Sequence, residues 1–145
     1  HMNHGRHQEA LAAVDKLLKL EPDNPQALLN KGALSIQVKA FTEAIEVLTH
    51  LLTLQPDNYA ALLNRAIANL QTEEFEAARR DYEKLKTAFP TAFQVYYGLG
   101  EIAYRKKETP TAVKNYELYL KYAPSNSEER KSITARLQEL KNGPP

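Results

Sequence analysis

Apolar residues recur along this chain at intervals of three and four, in helix-length blocks separated by short polar breaks. That period is readable over residues 7–20, 25–38, 42–54, 59–71, 76–88, 93–106, 110–122 and 127–141. No stretch alternates for long in the manner of a half-buried strand, so the pattern predicts an all-α chain.

The blocks themselves repeat. Pro22, Pro56, Pro90 and Pro124 stand 34 residues apart, and Ala10, Ala44, Ala78 and Ala112 keep the same interval. With proline at about 5% of average usage, three further prolines on one period arise by chance on the order of once in ten thousand. In register, the units are Pro25–Asn58, Tyr59–Ala92 and Phe93–Asn126, each holding two helical blocks. Residues 1–24 read as a short cloning remnant, His1–Met2, followed by the second helix of another unit. Residues 127–145 read as a closing helix and tail.

Local chemistry marks the boundaries. Asn24 is placed to cap a helix opened by Pro25, since proline at the first helical position gives up an N–H that would be unpaired anyway. Thr109 before Pro110 repeats that device, and Asn58 and Thr91 are available as caps. The periodic prolines close the helices before them. Ser125 with Glu128 three residues later forms a candidate capping box for the last helix.

With those residues in place, the chain resembles the tetratricopeptide repeat family over almost its whole length. The family favours a large residue at unit position 4 (Leu28, Leu62, Tyr96), a small one at 8 (Gly32, Ala66, Gly100), alanine at 20 and a large one at 24 (Leu48, Tyr82, Tyr116). An aromatic near position 17 is kept as Phe41 and Phe75 and lost at Thr109. The usual leucine at position 7 is kept only at Leu99, with Lys31 and Arg65 in the other units. The resemblance implies a right-handed α-solenoid of antiparallel helix pairs, with three full units, an N-terminal half repeat and a C-terminal capping helix. Small residues at 8 and 20 let paired helices approach, and large ones fill the space between pairs. The half repeat implies a chain cut from a longer array. In Ser127–Lys141, Ile133, Leu137 and Leu140 form a single apolar stripe, as a capping helix requires.

The resemblance also implies a concave groove lined by each first helix. The first unit supplies Gln26, Leu29, Asn30, Ala33, Ile36 and Gln37. The second supplies Ala60, Leu63, Asn64, Ile67, Leu70 and Gln71. The third supplies Gln94, Tyr97, Gly98, Glu101, Tyr104 and Arg105. Only Glu101 and Arg105 of these are charged, although 26% of the chain is. The carboxylate clamp found in some relatives needs cations where this chain has Leu29, Gln94 and Gly98 and an asparagine where it has Ala33, so only Asn64 matches it. Asn30 and Asn64, at the same place in successive units, are similar to the asparagine ladder of O-GlcNAc transferases, whose amides pair with the backbone of an extended peptide. Gly98 breaks the ladder, where Tyr97 and Tyr104 offer flat apolar contact with polar tips.

Composition narrows the function. The chain has 145 residues and 43% apolar content, enough for one core, with 19 Lys and Arg against 18 Asp and Glu for a net charge of +1. A balanced charge argues against nucleic-acid binding, and a period of 34 over a near-neutral groove argues against the related RNA-reading repeats. Cysteine is absent, so disulfides and thiolate chemistry are excluded. No apolar run reaches the ~20 residues of a bilayer span. His4, His7 and His50 do not converge as metal ligands, and no phosphate loop, nucleophile elbow or zinc-protease motif appears.

The expectation is a non-catalytic protein–protein interaction scaffold without metal or cofactor, holding a peptide or helix of a protein partner. It is soluble, with no signal or transmembrane segment in this stretch. Two alternatives stand beside it. One is a module that stacks end to end with copies of itself through Leu11, Val14, Leu17 and Leu18 of helix 7–20; the other is a substrate-recruiting region of a larger enzyme.

Overall fold

A computed structural model describes residues 2–143, with side chains from Gly5 onward. His1, Pro144 and Pro145, from the expected remnant and tail, lie outside the described residues. Eight helices follow in order: α1 (Met2–Leu20), α2 (Pro25–Gln37), α3 (Phe41–Leu54), α4 (Tyr59–Gln71), α5 (Phe75–Ala88), α6 (Phe93–Arg105), α7 (Thr109–Tyr122) and α8 (Arg130–Asn142). Among the described residues there is no strand. The fold class is the all-α solenoid of antiparallel helix pairs that the resemblance implied. Two compact units are formed, one up to Asp81 and one from Tyr82 onward, with α5 contributing to each.

In the first unit, α1 packs on α2, α2 on α3 and α3 on α4. Ala44, Leu48 and Leu51 of α3 are fully buried. Gly32 explains the small residue at position 8: a Cβ there would lie 2.4 Å from Cδ2 of Leu48. In the second unit, α6 packs on α7 and α7 on α8. Tyr96, Tyr116 and Tyr119 form its core with Ala112, Ile133 and Leu137. Gly100 allows the same close approach, since its Cβ would meet the Tyr116 ring at 2.6 Å.

The helix starts follow sequence chemistry only in part. Asn24 and Asn58 adopt nearly identical extended conformations, and their Oδ1 atoms accept from the Ala27 and Ala61 N–H groups at 3.0 and 2.9 Å. Thr91 does not cap α6: the cap position is Ala92, which has no side-chain acceptor. Thr109 lies inside α7, capped one residue earlier by Glu108 without a side-chain bond, so Pro110 falls within the first turn. The Ser125–Glu128 box does not form either. Residues 125–129 make turns and α8 starts at Arg130, because Ser127 is engaged by the Tyr119 hydroxyl at 2.5 Å and Arg130 reaches back to the Leu120 and Ala123 carbonyls.

First helices end in a device that also keeps the 34-residue interval. Lys39, Glu73 and Lys107 have φ of 63°, 62° and 61°, in the left-handed region that favours glycine. Each donates its N–H three residues back, to Ile36, Leu70 and Tyr104. The next residue donates five back, to Ser35, Asn69 and Ala103 at 2.7–2.8 Å. This pairing satisfies the last carbonyls of α2, α4 and α6 and turns the chain into the second helix.

Candidate functional site

The first unit presents the α2 and α4 positions that the family directs at ligands. On α2, Leu29, Ala33 and Ile36 are half-buried, while Gln26, Asn30 and Gln37 are exposed. Gln26 Nε2 donates to Asn30 Oδ1 at 3.1 Å, which leaves the Gln26 carbonyl as a free acceptor and the Asn30 NH₂ as a free donor one helical turn apart. On α4, Ala60, Leu63, Asn64 and Ile67 are half-buried and Gln71 is exposed. Leu70 is 4% exposed and belongs to the core.

The cations of these two helices are tied elsewhere. Lys31 pairs with Asp15 of α1 at 2.6 Å. Arg65 holds the buried Asp81 of α5 in a bidentate pair, at 2.7 and 2.8 Å, and also donates to Thr49. That hydrogen-bonded acid, more than any other influence, raises the Arg65 pKa. The α2 and α4 positions are therefore uncharged, offering apolar side chains and amides.

The second unit departs from expectation. Gln94 and Arg105 are exposed, but Gly98 and Glu101 are buried. Gly98 breaks the asparagine ladder for a steric reason: a Cβ there would lie 2.1 Å from Cζ of Tyr82, whose ring fills the space a side chain would need. Glu101 Oε1 accepts from the Tyr116 hydroxyl at 3.0 Å and from Arg136 Nη1 at 2.5 Å. Arg136 also donates to the Tyr116 oxygen, and its guanidinium lies 4.1 Å from the Tyr104 ring centroid. Tyr97 is half-buried with its ring 5.8 Å from that of Tyr119, and desolvation raises its phenol pKa. Of the third-unit residues expected to face a ligand, Glu101 is occupied by α8 and Tyr104 has Arg136 stacked on its ring. Sequence reasoning missed Arg136, assigning α8 only the apolar stripe of Ile133, Leu137 and Leu140 as its inward contact. The signal was the acid at position 101 in a face that otherwise carries charge only at Arg105.

A family model for the tetratricopeptide repeat matches residues 1–58, 36–93 and 63–127. This chain belongs to the tetratricopeptide repeat family. Among solved structures, MamA superimposes with a TM-score of 0.80 at 22% identity, covering 96% of this chain and 86% of MamA. A tetratricopeptide repeat protein from Parabacteroides merdae gives 0.83 at 18% identity over 97% of this chain and 55% of its own. The repeat domain of OM64 from Arabidopsis gives 0.73 at 22% identity over 79% of this chain and 94% of that domain. At these identities the likeness speaks to the fold alone. Comparison with curated protein sequences gives no match.

Tetratricopeptide repeats are in general non-catalytic modules for protein interaction, and membership supports a protein–protein interaction scaffold. Among the described residues no group of His, Asp or Glu could hold a metal ion, and no helix is long and apolar enough to cross a membrane.

Proposed function

We propose that this repeat chain is a non-catalytic scaffold whose α2 and α4 positions hold an extended, largely uncharged segment of a protein partner. Leu29, Ala33, Leu63 and Ile67 supply apolar contact, and Gln26, Asn30 and Asn64 pair with the partner's backbone. Gln37, Ala60 and Gln71 flank them, and Gln94, Tyr97, Tyr104 and Arg105 are the corresponding candidates in the second unit. The observation that carries this reading is the Gln26–Asn30 pair with its one spare acceptor and one spare donor. An extended peptide presents C=O and N–H groups to meet them, whereas a helix satisfies its own. The Asn64 side chain has no hydrogen-bond partner among the described residues, and its amide is available to the same ligand.

The test is a peptide-display selection on this chain and on the Asn30→Ala/Asn64→Ala variant, with helicity checked by circular dichroism. A motif enriched by the parent and lost by the variant is expected. Equal enrichment by both would remove the amides from the mechanism.

A second reading, self-association, is favoured by α1. Ala44, Leu48 and Leu51, with their counterparts Ala78, Tyr82, Leu85, Ala112, Tyr116 and Tyr119, are at most 2% exposed. Ala10 and Val14, at the same register in α1, are only half-buried, and Leu17 is 36% exposed. Sedimentation across micromolar to millimolar concentration distinguishes this reading: a constant monomer mass would end it.

A further inference from the structure

We infer that the α6–α7 surface beneath α8 is a receptor for an arginine-bearing amphipathic helix, and that α8 is its internal, exchangeable occupant. The inference concerns the second unit and is independent of the peptide reading for α2 and α4.

The chemistry of the receptor is visible because α8 is seated on it. Glu101 is 7% exposed, and its carboxylate is met by one cation, Arg136, together with the Tyr116 hydroxyl. The Tyr104 ring forms one wall of the cation site, with Arg136 4.1 Å from its centroid. Ile133 and Leu137, three residues before and one after the arginine, enter the apolar floor with Tyr96, Ala112, Tyr116 and Tyr119, and Leu140 packs against it. A ligand helix must therefore carry a guanidinium with apolar residues at −3, +1 and +4. A buried ion pair adds little net stability over an apolar contact of the same volume, but it penalises any occupant lacking the charge. It selects both the helix and its register.

The apolar attachment of α8 is light. Only Ile133 and Leu137 of its residues are buried. Outside the cation site it is tied to α7 by Arg130, which donates to the Leu120 and Ala123 carbonyls, and by the exposed Lys141–Glu117 pair, while its first turn has no side-chain cap. Elements with few buried contacts open below the global unfolding free energy, whereas α6 has Val95, Tyr96, Gly98, Leu99, Gly100, Glu101, Ile102 and Ala103 all buried. When α8 leaves, the floor around Tyr116 and Tyr119 and the Glu101 carboxylate are uncovered together, so the open state presents the same apolar and acidic pattern to another arginine helix.

The probe is the fluorescein-labelled peptide RKSITARLQELKN, residues 130–142, titrated into the full chain and into Ile133→Ala/Arg136→Ala. Tethering gives the internal helix an effective concentration in the millimolar range, so the peptide should bind the variant at least ten-fold more tightly than the parent. Replacing the peptide's equivalent of Arg136 by leucine, or introducing Glu101→Gln in the receiving chain, should weaken binding about ten-fold or more. Binding that is equal for parent and variant, or indifferent to the arginine, would overturn the proposal. Native-state hydrogen exchange on the parent gives a second test that needs no variant. Amides of α8 should exchange together, at least ten-fold faster than those of α6, and uniform protection across α6, α7 and α8 would equally overturn it. A concentration-dependent dimer of the parent that disappears in Arg136→Ala would assign the receptor to a second copy's α8 instead of a separate partner.

Discussion

Replacing Lys39, Glu73 and Lys107 by glycine should stabilise this chain, and the gain can be worked from geometry. All three hold φ near +60° while carrying a Cβ. A left-handed conformation costs an L-residue about 1–2 kcal/mol, through contact between Cβ and the following carbonyl oxygen. Glycine removes that contact but loses about 0.5–1 kcal/mol more backbone entropy on folding. The net gain is about 0.5–1 kcal/mol per site. Nothing else offsets it, because none of the three side chains makes an ion pair or hydrogen bond among the described residues. The turn bonds use only backbone groups and survive the substitution. The sites share no hydrogen bond, so the triple variant should gain about 2 kcal/mol additively. At about 3 °C per kcal/mol, the midpoint of thermal unfolding should rise by about 6 °C in scanning calorimetry. Alanine at the same positions keeps the Cβ and should leave the midpoint nearly unchanged. Glycine variants that unfold earlier than the alanine ones would refute the reasoning, since backbone entropy would then outweigh relief of the left-handed contact.

Gly100→Ala should lose about 1–3 kcal/mol in urea unfolding, because the Tyr116 ring its Cβ would meet is itself held by Glu101 and Arg136. Asn24→Ala and Asn58→Ala should each cost about 1 kcal/mol in the same assay, whereas Thr91→Ala, away from any cap position, should cost little. Burial raises the phenol pKa of Tyr96, Tyr97, Tyr116 and Tyr119 above the ordinary 10.0. Tyrosines in the unfolded chain therefore ionise first, so stability is full below about pH 10 and declines as pH rises further. Tyr116→Phe should make that decline shallower in pH-dependent melts, and an unchanged slope would show that Tyr116 does not carry it.

By itself the sequence determined the element count, the period and most boundaries. These depend on local facts: spacing of apolar residues, the Asn24 and Asn58 caps, and prolines that close helices. Most predicted helix ends lie within one residue of the observed ones, and the exceptions are instructive. The start of α8 was misplaced because a hydroxyl at Ser127 is drawn to Tyr119 on another helix, which a local reading cannot register. The small residues at positions 32 and 100 were legible as close-approach sites because their partners, Leu48 and Tyr116, keep a fixed offset within the repeat.

Tertiary structure decided which of the expected ligand-facing side chains remain available. Gln26 and Asn30 could be placed on one face from their spacing, but only the folded chain sets which amide atoms are paired and which are spare. Gly98 reads as a gap in the ladder until the Tyr82 ring is seen in that space. Glu101 reads as a ligand-facing acid until Arg136, 35 residues later, is found on it. For Gly98 and Glu101 the deciding partner lies on a different helix. The repeat pattern fixes where a side chain emerges from its own helix, whereas burial, charge pairing and steric exclusion depend on what the neighbouring helix brings against it.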